Sequence, residues 1–270
     1  MAADLLFSRR FSRVARRFNS YIQSSCALCD GSAPRGRLCA GCSADMRYSM
    51  RHHRWRCTRC ALALPGDIPC PDCASGSRPL EKVVAAFDYV PPADSLVLRY
   101  KNAKQFQLAT VFAHLACEAI IEHSPEWPVP FWQCHAPLIP VPGSPASLRR
   151  RGFNPAAEFA SQLGRLLHLP VMHSLLHREP ERLKQSSLNR EQRQANTAHL
   201  YYCSRNVSLP CAVLVDDVLT TGSTLDAAAR ALIAAGAHRL IAVVIARTPY
   251  RHRNTADATA FPVDPLCWKT

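Results

Sequence analysis

Two adjacent carboxylates are the residues of this chain best suited to chemistry. Asp216 and Asp217 follow the apolar residues 213–215, two of which are β-branched valines, a pattern typical of a buried parallel strand. Because open α/β sheets bind ligands at the carboxyl ends of their strands, we expect both acids to lie in a binding cleft. Adjacent acids can accept hydrogen bonds from the two vicinal hydroxyls of a ribose, or hold Mg²⁺ that those hydroxyls share.

A hydroxyl-rich turn follows the two acids. It consists of Thr220, Thr221, Gly222, Ser223 and Thr224, and it leads into a predicted helix over residues 225–235. Backbone N–H groups and hydroxyls of such a turn can surround an anion, and the helix dipole favours a phosphate there. A ribose with a 5′-phosphate would satisfy the acids and the turn together. The alternative is an ordinary strand–loop–helix connection in which the hydroxyls only cap the helix.

A duplicated cysteine pattern occupies the first third of the chain. Two Cys-x-x-Cys pairs separated by nine residues occur twice, at an offset of 31 residues. Two such pairs can complete a tetrahedral Zn²⁺ site, so the pattern predicts two structural zinc ions. The predicted ligands are Cys26, Cys29, Cys39, Cys42, Cys57, Cys60, Cys70 and Cys73. Disulfide bonds are the alternative chemistry, and a cross-braced pairing of the ligands is the alternative to a sequential one.

Net charge and hydropathy limit the classes of protein to which this chain can belong. The chain has 270 residues and a formal net charge of +13, and it has no apolar stretch long enough to span a bilayer. No secretory signal is recognisable, so we expect a cytoplasmic protein that could touch the inner face of the cell membrane. Residues 1–79 hold thirteen arginines, no lysine and five aspartates, a net charge of +8. Such asymmetry favours nucleic acid, an acidic membrane surface or a phosphorylated protein as partner.

Four segments are predicted along the chain. They are a basic amphipathic helix at 1–25, a double zinc-ribbon module at 26–79, an α/β domain at 80–248 and a mobile tail at 249–270. The helix can lie on a membrane or on nucleic acid, or pack its apolar stripe on the zinc module. In the α/β domain, short apolar strands alternate with helices of ten to fifteen residues. This alternation predicts a parallel sheet in doubly wound order.

Residues 213–224 resemble the phosphoribosyl-pyrophosphate (PRPP) signature of type I phosphoribosyltransferases. The wider pattern is similar in order and spacing to the ComF/GntX family, in which a Cys-rich zinc module precedes such a domain. The pattern comprises Leu138-Ile139-Pro140-Val141-Pro142, Arg151-Gly152-Phe153-Asn154, Gln185-Ser186-Ser187-Leu188 with Arg190, Arg193 and Asn196, and the acid-containing loop. The chain departs from the family at His199-Leu200, where an Ala-Phe pair is common. The resemblance implies PRPP binding with Mg²⁺ and a link to competence, the uptake and use of external DNA.

The resemblance also suggests roles for basic residues. Phosphoribosyl transfer releases a highly anionic pyrophosphate, which needs Mg²⁺ and cationic donors more than a strong base. The expected catalytic residues are Asp216, Asp217, Arg151 and Lys101. The expected ligand-binding residues, besides the hydroxyl-rich turn, are Pro140, Val141, Pro142 and Gly152. A solvated basic patch is the alternative for the arginines at 149–151, and a plain surface lysine is the alternative for Lys101. A polar stretch could shape an acceptor pocket or a lid, or form a solvated helix face. It contains Gln185, Arg190, Arg193 and Asn196.

Three functions from different classes fit these features. The leading hypothesis is a Mg²⁺-dependent phosphoribosyltransferase-like enzyme that works on nucleotide or DNA-derived material. The second is a catalytically inactive PRPP- or nucleotide-binding adaptor or sensor that handles single-stranded DNA in the competence machinery. The third is a zinc-dependent nucleic-acid module with an incidental α/β domain.

Overall fold

The computed structural model describes residues 23–52, 55–74, 78–123, 135–179 and 200–250. Most of the predicted amino-terminal helix and nearly all of the predicted tail lie outside these ranges. The polar stretch with Gln185, Arg190, Arg193 and Asn196 also lies outside them.

The Cys-rich region precedes an α/β region. The first contains strands β1 (Gln23–Ser25) and β2 (Ser32–Pro34) and helix α1 (Ala40–His52). The second begins with β3 (Lys82–Asp88), α2 (Ala93–Asn102), α3 (Leu108–His123), β4 (Leu138–Pro140), α4 (Pro145–Arg151) and α5 (Pro155–Leu167). It continues with β5 (Leu176–Arg178), β6 (Tyr201–Cys203), β7 (Leu209–Leu219), α6 (Ser223–Ala234) and β8 (Ala237–Arg247). None of the helices described is long and apolar enough to cross a lipid bilayer.

Four parallel strands form the central sheet, in the order β3-β8-β7-β4. Side chains of a strand alternate between the two faces of a sheet, and here both faces are buried. Val213 and Val215 belong to a core with α3 and α5, whereas Ala212 and Leu214 belong to a second core with α6 and the β5–β6 hairpin. Helices therefore cover both faces, and the predicted parallel α/β fold is confirmed.

We expected the two acids to follow the end of β7. They lie inside the strand instead. Asp216 pairs with Val244 of β8, and the pairing continues to Leu219 and Arg247. The sequence-based strand was too short because the polar acids interrupt the apolar pattern, while β8 offers backbone partners throughout. On the other side, β4 pairs with β7 only as far as Val215. The acids thus lie where β7 extends beyond β4.

The cysteine region packs onto the sheet domain at several points. Cys26, Leu38 and Met46 join the core on the α3 side, and Ala61 joins the core on the α6 side. Arg56 also forms a 2.7 Å ion pair with Asp88 at the end of β3, where the Asp88 side chain is 3% exposed. The predicted domain boundary after residue 79 remains a prediction.

We expect Arg56→Ala to destabilise the protein by about 3 to 5 kcal/mol, because the buried Asp88 carboxylate would lose its ion-pair partner. Arg239→Ala is the matched control, since its 2.8 Å ion pair with Glu81 is between side chains that are 35% and 42% exposed. Loss of such an exposed pair costs about 0 to 1 kcal/mol. Urea denaturation compares the two variants, and equal losses of stability would contradict the importance of the Arg56–Asp88 contact.

Candidate functional site

A cavity of about 190 Å³ lies at the carboxyl ends of β4 and β7. It brings together seven of the predicted site residues: Lys101, Val141, Pro142, Arg151, Asp216, Asp217 and Thr224. Pro140, Gly152 and residues 220–223 are outside its lining. The cavity thus combines two acids, two basic side chains and the first turn of α6.

The two carboxylates have different surroundings. An oxygen of Asp216 accepts a 2.8 Å hydrogen bond from the Asp217 backbone N–H, and an oxygen of Asp217 accepts a 2.6 Å hydrogen bond from the Val218 backbone N–H. Burial and the negative charge of Asp217 raise the pKa of Asp216 to about 7. Near neutral pH, Asp216 can therefore release its proton when a cation or a hydrogen-bond donor binds beside it.

Lys101 enters the cavity from the last turn of α2. Its Nζ lies 2.9 Å from Oδ2 of Asp217. The preceding residue, Tyr100, is buried, donates a 2.8 Å hydrogen bond to the Pro155 carbonyl and packs edge to face on Phe153. These contacts fix the end of α2, so the Lys101 amine is held at the acids.

The arginine triplet occupies the end of α4, a short helix that the sequence reasoning did not predict. Ser144 caps this helix by accepting a 3.1 Å hydrogen bond from the Ser147 N–H. Arg149 and Arg150 are exposed, whereas Arg151 is partly buried and lines the cavity. Within the described residues, the buried Nε of Arg151 makes no hydrogen bond. A buried donor of this kind suits an anionic ligand.

The predicted anion-binding turn, Thr220–Thr224, is called here the phosphate loop. Thr220, Thr221 and Ser223 are exposed, and helix α6 begins directly at Ser223. Gly222 has φ of +90°, a left-handed conformation that disfavours other residues. The loop thus presents hydroxyls to solvent at the amino terminus of a twelve-residue helix, an arrangement that favours anions.

The cavity lining also includes two side chains with functional groups that the sequence did not predict. Arg178 and Tyr201 come from the paired strands β5 and β6. The Arg178 guanidinium carbon lies 5.8 Å from the centre of the Tyr201 ring, and burial raises the pKa of Tyr201 to about 12. Only the pairing of two segments that are far apart in sequence brings these residues to the acids, and no local motif signals that pairing.

The eight predicted zinc ligands form two separate clusters. Cys26, Cys29, Cys39 and Cys42 are the first cluster, and Cys57, Cys60, Cys70 and Cys73 are the second; the ligand atoms of each lie within 4.8 Å of one another. This is the sequential grouping rather than the cross-braced one. All eight are free thiols.

Sulfur spacing in both clusters suits a metal ion. Sulfur–sulfur distances include 3.7 Å for Cys29–Cys39 and 3.8 Å for Cys57–Cys73, close to the spacing of about 3.8 Å around tetrahedral zinc. A hydrogen bond with Cys60 lowers the pKa of Cys57 to about 4, and the same contact raises the pKa of Cys60. One ionised thiol therefore makes ionisation of its neighbour harder, and a bound divalent cation would remove that conflict.

We expect Asp216→Asn to stabilise the protein more at pH 8 than at pH 5. With a folded-state pKa near 7 and an ordinary value of 3.8, the native carboxyl keeps a proton that the unfolded chain has already released at pH 5 to 6. The wild-type stability contributed by this group therefore falls as pH rises towards 7, whereas an amide does not titrate. Thermal unfolding at both pH values checks this, and a pH-independent difference in Tm would contradict the raised pKa.

Comparison with known proteins agrees with this arrangement. Residues 147–260 match the phosphoribosyl transferase domain family. DNA utilization protein YhgH of Escherichia coli (strain K12) is 26% identical over 226 residues, which cover 83% of this chain and 96% of that protein. Competence protein F of Haemophilus influenzae is 26% identical over 205 residues, which cover 74% of this chain and 80% of that protein. The chain thus combines a phosphoribosyltransferase-type domain with two amino-terminal cysteine clusters, and it is similar over most of its length to a DNA utilization protein and a competence protein, so the predicted resemblance to the ComF/GntX family is confirmed.

Proposed function

We propose that this protein is a Mg²⁺-dependent phosphoribosyltransferase-like protein that binds PRPP or a related ribose 5-phosphate. The observation that carries the proposal is the 2.9 Å contact of Lys101 with Asp217 in a cavity that also contains Asp216 and Arg151. An acidic pair beside two cations matches a ligand whose sugar offers hydroxyl donors and whose diphosphate is anionic.

Binding uses two parts of the site. The backbone amides and hydroxyls of the phosphate loop hold the 5′-phosphate at the amino terminus of α6. Asp216 and Asp217 accept hydrogen bonds from the ribose hydroxyls, and both carboxylates are suitable ligands for a Mg²⁺ that arrives with the diphosphate. In the free protein Lys101 neutralises Asp217, so ribose binding requires the Lys101 amine to move towards the diphosphate.

Transfer breaks the bond between the anomeric carbon and pyrophosphate and forms a bond from that carbon to the acceptor. The electron pair of the broken bond leaves with pyrophosphate. Arg151 and Lys101 bind the departing diphosphate, and a Mg²⁺ held by Asp216 and Asp217 would spread its negative charge. Asp216 and Asp217 keep the ribose oriented and favour the positive charge that develops on its ring. Tyr201 and Arg178 line the remaining wall, where an acceptor would enter.

A second candidate is a PRPP- or nucleotide-binding adaptor or sensor without transfer activity, which handles single-stranded DNA in the competence machinery. The names of the two relatives favour it because they refer to DNA utilization and to competence, and not to transfer. The proposed partners are single-stranded DNA or competence proteins, bound through the basic residues 1–79. The proposed location is the cytoplasm, including the inner face of the membrane, and the proposed metal of both cysteine clusters is structural zinc.

Asp217→Asn should weaken PRPP binding about ten- to a hundredfold, because one charge-assisted hydrogen bond to the ribose is lost. Gly222→Val should weaken it further, since any Cβ at Gly222 would collide with the Arg78 guanidinium. Glu81→Gln is the control, because it also removes one carboxylate charge but does so in an exposed ion pair. Calorimetric titration with PRPP and Mg²⁺ measures the affinities. Equal affinity of all variants and wild type would exclude the acids and the loop as the binding site.

Pyrophosphate release separates the enzyme from the adaptor. The enzyme should release pyrophosphate from PRPP with at least one acceptor in a panel of bases and single-stranded DNA fragments, and Asp217→Ala should abolish the release. Arg151→Gln should lower kcat by about a hundredfold or more, because a donor to the leaving group is lost. Arg149→Gln, an exposed arginine on the same helix, is the matched control. PRPP binding without release from any acceptor would instead support the adaptor.

A further inference from the structure

Two buried arginines connect the second cysteine cluster to the phosphate loop. The first is Arg78, whose Nη1 lies 3.7 Å from Sγ of Cys73. The same guanidinium donates to the Thr221 carbonyl at 3.4 Å and, through Nε, to both oxygens of Asp226 at 3.1 Å. Its side chain is 7% exposed. Arg78 therefore touches a predicted metal ligand, the loop and the first turn of α6 at once.

The second arginine is Arg247, at the end of β8 and 1% exposed. Its Nε donates to the Cys60 carbonyl at 3.2 Å, and its Nη2 contacts Asp72, between Cys70 and Cys73. Its Nη1 donates to the Leu219 carbonyl at 3.1 Å and also to the Thr220 carbonyl. Arg247 thus fixes the backbone at the start of the phosphate loop to the loops that carry the second cluster.

The first cluster makes a different set of contacts. Ala27, between Cys26 and Cys29, accepts a 2.6 Å hydrogen bond from Arg99 of α2. Cys26 itself is buried in the core with α3. The first cluster therefore supports the α2 side of the protein, while the second supports the phosphate loop.

The net charge of the metal-bound second cluster explains why a metal ion there would affect the phosphate loop. Four thiolates around one divalent cation carry a net charge of −2, which two adjacent guanidinium groups offset. Without the cation, the loops that carry the four cysteines lose their common ligand. Arg78 and Arg247 would then lose part of the framework from which they hold carbonyls 219–221.

We propose that Arg78 and Arg247 are positioning residues through which a metal ion in the second cluster holds the phosphate loop in its anion-binding shape. Loss of metal from the second cluster, and not from the first, then disables sugar-phosphate binding. The binding part of this proposal rests on the proposed function, whereas the effect on loop structure does not.

Hydrogen exchange in the full-length, zinc-loaded protein without ligand tests the effect on the loop. In Cys73→Ser, zinc content should fall from two ions per chain to one, and amide exchange over residues 219–224 should accelerate about tenfold. Cys42→Ser, which removes a ligand of the first cluster, should lose one zinc and leave that exchange at the wild-type rate. Faster loop exchange in both variants, or in neither, would overturn the proposal.

Arg78→Gln keeps the test valid if Cys73→Ser fails to fold. This variant should retain both zinc ions, yet show accelerated exchange over residues 219–224. Arg239→Gln, at an exposed ion pair, is the control and should behave like wild type. Wild-type exchange in Arg78→Gln would contradict the role of that residue.

Thermodynamic linkage between metal binding and PRPP binding provides a second readout. If the metal improves PRPP binding, PRPP must raise the affinity of the second cluster for that metal by the same factor, about tenfold, in an equilibrium competition with a chelator, and Arg78→Gln should lose this protection. PRPP that binds without protecting either metal would overturn the proposal. If wild type binds no PRPP, the proposed function fails, and the exchange measurements alone decide whether the second cluster holds the loop.

Discussion

Repulsion between two adjacent, partly buried carboxylates is the constraint on which the site depends. Asp216 and Asp217 lie on a strand that has a neighbour on one side only at that point. Their charge is offset by backbone N–H groups of β7 and by cations from other elements, Lys101 on α2 and Arg178 on β5. Because the cations come from separate segments, they offset the charge of the two acids only when the whole domain is folded.

This constraint also explains why the acids and the anion-binding groups of the site come from different elements. The acids in the cavity lining disfavour phosphate groups beside them and favour donors or cations. Anion-binding groups therefore come from other elements, with Arg151 on α4 and the hydroxyls at the start of α6. A sugar that carries both phosphate groups and free hydroxyls matches this separation of acids from anion-binding groups.

The cysteine clusters are connected to the same arrangement. Arg56, Arg78 and Arg247 join the second cluster region to the carboxyl end of the sheet through side chains that are largely buried. Buried ion pairs of this kind are sensitive to loss of one partner. The second cysteine cluster and the phosphate loop therefore form a contiguous structural unit, although 147 positions separate Cys73 from Thr220 in the sequence numbering.

Local patterns predicted much of this fold but not its long-range contacts. Helix α5 begins where local signals place it, because Asn154 caps it and Pro155 suits its first turn. The cysteine grouping followed from spacing. The length of β7 depended on its pairing with β8, and the contribution of Arg178 depended on the β5–β6 pairing, so neither had a local signal. Arg78 lies in a Ser/Gly/Pro-rich stretch without a local signal for a structural role, and only its partner Asp226, 148 positions away, reveals its role.

A crystal structure of the protein soaked with PRPP and Mg²⁺ tests the central claim most directly. The account predicts the 5′-phosphate on the backbone amides of the phosphate loop, the ribose hydroxyls on Asp216 and Asp217, and Lys101 displaced from Asp217. Sugar density elsewhere on the protein, with that loop empty, would contradict the account.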